Sequence, residues 1–128
     1  MIRFILAALF LVLFLILTIP VMIFEWILGK FSRSARDKSS LAIVLWGFRV
    51  ILFISGVQIN VVGEENVPKD TPVLYIGNHR SFFDIPVIYS TVPIQTGFVS
   101  KMQVKKVPFL SWWMTCINCL FLDRNDVK

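Results

Sequence analysis

The chain has 128 residues, 56% of them hydrophobic and 16% charged, with a formal net charge of +5. An average soluble domain is ~45–50% apolar and ~25% charged, so this composition leans toward lipid on both counts. That disfavours a freely soluble enzyme, a disordered tail and a disulfide scaffold.

Residues 4–24 are apolar apart from Thr18 and Pro20. As one helix they would span ~31 Å, enough for a hydrocarbon core of ~30 Å. Arg3 supplies a positive flank, which raises the rival reading of a secretory signal. Secretory apolar regions run only ~7–15 residues and end at small-residue cleavage sites, and none follows here. A membrane anchor is predicted. Residues 30–40 (KFSRSARDKSS) read as a solvated basic connector, whose sign favours the cytoplasmic side and anionic head groups. Residues 41–57 form a second apolar stretch, interrupted by Gly47, Arg49 and Gly56. It is short for a span and carries a mid-segment arginine. A helix lying in the interface or dipping partway is predicted, with residues 58–128 cytoplasmic; a two-pass hairpin is the alternative.

Beyond residue 57 the pattern changes to short strands and turns. Val57, Ile59 and Val61 alternate with Gln58 and Asn60, which predicts a half-exposed strand. Residues 63–72 read as a loop, and 73–76 as a buried parallel strand ended by Gly77-Asn78. Residues 85–92 read as a helix capped by Asp84, with Pro86 in its first turn. A weak strand at 97–100, a helix at 105–116 entered through Pro108, and a buried strand at 119–122 follow. The expected fold class is α/β: an N-terminal membrane-associated helical hairpin (residues 1–57), then the first half of an open α/β sheet (residues 58–128).

Three of these predicted strands are followed by His79, Lys101 and Arg124. Open α/β sheets bind ligands outside the carboxyl ends of their strands. A titratable base and two cations at one rim suit an anionic group, phosphate above all. His79 is the only histidine in the chain. Asp84, five residues on, can reach back around a turn to one ring nitrogen and leave the other to take a proton from a substrate hydroxyl. This is the orienting half of a Ser-His-Asp arrangement without the protein nucleophile. The plainer alternative makes His79 a turn residue and Asp84 the cap of the next helix.

The run Asn78-His79-Arg80-Ser81-Phe82-Phe83-Asp84 resembles the His-x4-Asp signature of the glycerolipid acyltransferases, specifically the PlsC-type 1-acylglycerol-3-phosphate acyltransferases. Cys119-Leu-Phe-Leu-Asp123-Arg124 is similar to that family's second motif, an apolar strand ending in Asp-Arg. Between them, Phe98-Val-Ser-Lys101 and Val107-Pro108-Phe-Leu-Ser-Trp112 match in kind and order. The resemblance implies acyl transfer from a thioester, carried by coenzyme A or acyl carrier protein as donor substrate, to the free hydroxyl of lysophosphatidic acid in a membrane. It implies His79 as general base, Asp84 as its orienter, Arg124 and Lys101 on the phosphate, and Asn78 and Ser81 shaping the turn. No metal or cofactor is expected. The family's third motif, of Glu-Gly-Thr-Arg type, and its fourth, built around Val-Pro, do not occur in this sequence. The sequence therefore reads as the amino-terminal part of such an enzyme, expected to be inactive and only partly stable as a free polypeptide, with a thin core and an open sheet edge.

Other features have plainer readings. Cys116 and Cys119 lack a second pair or a nearby His and are expected to be reduced and packed. Ser81 lacks a nucleophile elbow. Trp26, Trp112 and Trp113 suit packing or a membrane interface. The positive charges are dispersed without interleaved aromatics, against nucleic acid as a partner. The competing functions are a non-catalytic membrane-associated relic or interaction protein, and an acyltransferase for another acceptor such as glycerol 3-phosphate or a different lysophospholipid.

Overall fold

The computed structural model describes residues 1–92 and 95–123. Its elements are α1 (Ile2–Leu17), α2 (Ile19–Phe31), α3 (Arg33–Ser55), α4 (Asp84–Thr91), β1 (Val99–Lys101), α5 (Leu110–Cys116) and β2 (Leu120–Leu122). Two 3-10 turns, Glu64–Asn66 and Met102–Lys106, lie between them.

The first apolar run is not one straight helix. It bends by 51° between α1 and α2. Pro20 has no N–H to give to the preceding turn, and the Thr18 hydroxyl donates back to the Phe14 carbonyl at 2.7 Å. Both features bend helices, and Pro20 is tolerated as an early residue of α2. The basic stretch expected as a connector is instead mostly helical. Ser32, in an extended conformation, caps α3 by accepting from the Ala35 N–H at 3.2 Å, so residues 33–40 become its opening turns. Gly56, at φ 67°, ends the helix in the left-handed region.

The bent pair α1–α2 folds back along α3 as a hairpin. Arg3 lies beside Gly56, Phe14 packs on Gly47, and Glu25 meets Ser39 and Ser40. Large apolar side chains on the outer face stay exposed, among them Phe4, Leu9, Val12, Phe24 and Trp46. A contiguous apolar surface of this kind marks membrane association. By length and composition α3 could cross a bilayer, as could α1–α2 taken as one bent span. The middle of α3, however, is occupied on one side by protein. Val44 is buried in a core with Tyr89, Trp113, Ile117 and Cys119, so lipid does not surround it there. The Trp113 indole also donates to the Thr18 hydroxyl at 3.3 Å, tying α5 to the bend of the hairpin.

β1 and β2 pair in parallel, Val99 against Leu120 and Lys101 against Leu122. They realise the expected strands at 97–100 and 119–122, one or two residues shifted. The other two expected strands do not form. Residues 57–63 and 72–80 are irregular, and 71–80 are exposed throughout. A strand exists only by its ladder, and neither apolar run finds a partner among the described residues. The helix expected at 105–116 is split. Met102–Lys106 is a 3-10 turn, and Phe109 at φ 61° interrupts the chain before α5 begins. The sum is a helix-rich fold with a helical N-terminal region and a partial α/β sheet.

One glycine is dictated by close approach. A Cβ on Gly97 would collide with the backbone carbonyl of Asn118. Backbone cannot swing aside as a flexible side chain can, so Gly97→Ala is expected to push the starts of β1 and β2 apart. The expected cost is about 1–3 kcal/mol of stability, read as a lower unfolding midpoint in detergent. A variant as stable as the parent would refute this packing.

Candidate active site

The site is built on the turn that opens α4. Ser81 and Asp84 brace the turn from both sides: the Ser81 hydroxyl accepts from the Phe83 N–H at 3.2 Å, and Asp84 Oδ2 accepts from the Ser81 N–H at 2.8 Å. The same oxygen accepts from the Arg80 N–H at 2.7 Å. Asp84 is therefore not the helix cap expected from its position. It is the first residue of α4, and its carboxylate points upstream rather than into its own helix.

That reversal brings the carboxylate to His79. Nδ1 of the imidazole lies 3.1 Å from Asp84 Oδ2. A carboxylate can only accept, so Nδ1 carries a proton, and in the neutral ring Nε2 keeps its lone pair. The ring is 60% exposed, whereas the Asp84 side chain is 31% exposed. The imidazole is thus held at one edge and open to a ligand at the other.

The Ser81 N–H, then the Arg80 N–H, then His79 hold the Asp84 carboxyl below its ordinary value of 3.8. A carboxyl whose pKa is lower folded than unfolded contributes stability that is fully present above the unfolded value. That contribution is lost as pH falls through the folded value. The 79–84 turn is thus expected to keep its hydrogen bonds from neutral pH down to about pH 4 and to open below it. The Arg80 and Ser81 amide proton shifts should carry a titration with its midpoint under 3.8; a midpoint at or above that value contradicts the geometry.

The remaining expected site residues are less gathered. Lys101 ends β1 and is exposed, side by side with Leu122 at the end of β2. It shares no hydrogen bond or ion pair with His79 among the described residues. Arg124 lies outside the described residues. Asn78 precedes His79 in the exposed segment, and Ser81 shapes the turn through both its hydroxyl and its N–H. The expectation that three strand ends aim at one rim is not met, because His79 leaves an irregular segment rather than a strand. Among the described residues no group of three or more His, Cys, Asp or Glu could hold a metal ion. Cys116 and Cys119 are free and buried; burial pushes the Cys116 thiol up, away from reactivity.

Sequence reasoning missed two polar sets that the structure shows. One is the bracing of the turn by Ser81 and Asp84, whose Ser-x-x-Asp spacing was its visible signal. The other is Glu25, fully buried in α2 and accepting from the Ser39 hydroxyl at 2.6 Å and the Ser40 hydroxyl at 3.2 Å. An acid directly after an apolar run, with paired serines downstream, was its trace.

An open imidazole steered by a carboxylate, on the exposed segment that leads into α4, has the geometry to take a proton from a substrate hydroxyl. The Acyltransferase family model matches residues 58–128, more than half of the sequence, and the chain belongs to that family. It is 37% identical over 78 residues to the 1-acyl-sn-glycerol-3-phosphate acyltransferase of Saccharomyces cerevisiae, covering 61% of this chain and 25% of that protein. It is 36% identical over 72 residues to the chloroplast 1-acyl-sn-glycerol-3-phosphate acyltransferase of Arabidopsis thaliana, covering 56% and 20%. A lyso-ornithine lipid O-acyltransferase of Pseudomonas aeruginosa is 32% identical over 69 residues, covering 54% and 25%. The aligned part of this chain thus corresponds to a fifth to a third of the length of such relatives. No solved structure matches the chain.

Proposed function

We propose that the protein containing this segment transfers an acyl chain from a thioester to the free hydroxyl of 1-acylglycerol-3-phosphate, giving phosphatidic acid. The observation that carries the reading is the His79 Nδ1–Asp84 Oδ2 contact with the rest of the ring exposed. Nε2 accepts the hydroxyl proton as the oxygen attacks the thioester carbonyl. The tetrahedral intermediate then collapses, the carbon–sulfur bond breaks, and the thiolate leaves and takes the proton from the imidazolium. Asp84 holds the ring in the tautomer that keeps Nε2 basic and offsets the charge that forms on it. Arg124 and Lys101 bind the acceptor's phosphate, and Asn78 and Ser81 set the turn. Coenzyme A or acyl carrier protein carries the donor.

In this reading residues 1–57 anchor the enzyme, and 58–128 begin a catalytic domain facing the cytoplasm, where the basic residues of 30–40 meet anionic head groups. The test is an acylation assay on the whole protein, with labelled acyl-CoA or acyl carrier protein as donor. Lysophosphatidic acid, glycerol 3-phosphate and lyso-ornithine lipid are compared as acceptors. Turnover preferring lysophosphatidic acid is the expected result. Preference for lyso-ornithine lipid, which the Pseudomonas aeruginosa relative supports, would reassign the acceptor. Membrane binding with no turnover on any acceptor would leave a non-catalytic relic and overturn the reading.

A further inference from the structure

At the opposite end of the β1–β2 pair from Lys101 lies a cleft of about 390 Å³ that the proposed chemistry does not use. Arg33, Ser34 and Asp37, on one side of the first turns of α3, face Gln95, Gly97 and Asn118, which lead into the two strands. Four residues of extended chain, about 13 Å, separate Gly97 from Lys101, so this is not the end of the sheet at which the acceptor's phosphate is placed.

The charge inside the cleft is unbalanced. Asp37 is already occupied: one carboxylate oxygen accepts from Arg36 at 2.6 and 3.0 Å, the other from the Asn118 side chain at 3.3 Å. Arg33 has no carboxylate partner among the described residues. It therefore presents an uncompensated guanidinium beside the neutral side chains of Ser34 and Gln95. The position along the hairpin matters as much. The cleft opens where α2 ends and α3 begins, at the level where apolar surface gives way to Lys30, Arg33, Arg36 and Lys38. Lys30 lies over the Trp26 ring at 3.7 Å from its centroid, a pairing suited to the wet edge of a bilayer. When the apolar face of the hairpin lies in lipid, this cleft stands at head-group height.

We propose that the cleft between the start of α3 and the starts of β1 and β2 binds the phosphate of an anionic phospholipid. Arg33 is its cation, and Ser34 and Gln95 are its hydrogen-bonding partners. Such a lipid would hold the half-sheet at a fixed height against the membrane, separately from the reacting acceptor.

The test titrates the detergent-solubilised whole protein with short-chain phosphatidylglycerol, short-chain phosphatidylcholine and inorganic phosphate, read from the Gly97 and Asn118 amide shifts. A saturable response to phosphatidylglycerol and none to phosphatidylcholine is expected. Diffuse attraction to the basic cluster would make its members alike, about fivefold each. The Lys38→Gln variant should show only that, whereas Arg33→Gln should abolish saturation. The sharper arm keeps the charge constant: Ser34→Ala and Gln95→Ala should each weaken binding about tenfold. Unchanged affinity in those two variants would overturn the site, because diffuse attraction ignores neutral side chains. Inorganic phosphate binding as tightly as phosphatidylglycerol would assign the cleft to a soluble phosphate and overturn the lipid assignment.

Discussion

Replacing His79 by alanine in the whole protein is expected to lower kcat for acyl transfer by a factor of about 10²–10⁴, the usual contribution of a positioned general base. KM for the acceptor should change little, because the ring meets the hydroxyl rather than the phosphate. Asp84→Asn should lose a comparable factor for a different reason. The three donors of the turn converge on Oδ2, so asparagine keeps its oxygen there and loses instead the negative charge that offsets the imidazolium formed on proton transfer. The asparagine oxygen can still accept from the Ser81 N–H, so the turn should survive better than in Asp84→Ala. The pair of asparagine and alanine variants therefore separates charge compensation from loop stability. An Asp84→Asn enzyme with full activity would show that Asp84 only holds the turn before α4; a fully active His79→Ala enzyme would end the proposed mechanism.

How much of this was legible in the sequence depends on the range of the interactions. The His79–Asp84 pair was readable because it is local: five residues and one turn are enough to close it. The parallel pairing of 99–101 with 120–122 was half readable, since both runs are apolar and a helix of suitable length lies between them. The segments 57–61 and 73–76 carry equally good strand patterns and form none, because alternation and apolarity specify a face, whereas a strand also requires a neighbour. The bend at Thr18 was written in Pro20 and in a hydroxyl within reach of the previous turn, yet hydropathy alone treats both as interruptions of one span. The basic stretch at 33–40 looks solvated in isolation. It becomes helical because Ser32 caps it and because Ser39 and Ser40 face a carboxylate fourteen and fifteen residues upstream. No local pattern contains that pairing.

That buried carboxylate should behave asymmetrically on mutation. Glu25 is fully buried, and two α3 hydroxyls supply its hydrogen bonds. Removing the donors with Ser39→Ala and Ser40→Ala together leaves an acid enclosed with less to bind it, and hydrogen bonds to charged groups contribute about 1.5–3 kcal/mol each. A combined loss of about 3–5 kcal/mol is expected from two such bonds. Glu25→Met removes the charge itself while filling a similar volume. The two serines can then turn to carbonyls of their own helix one turn back, as serine commonly does. Arg36 keeps Asp37 at 2.6 Å. Glu25→Met should therefore stay within about 1 kcal/mol of the parent. The ordering is the test, measured by equilibrium unfolding in detergent micelles: the double serine variant must be the less stable of the two. Should Glu25→Met prove the more damaging, the carboxylate would be holding α2 against α3 by more than its two hydroxyl partners, and the polar contact between these helices would have to be rebuilt around Arg36.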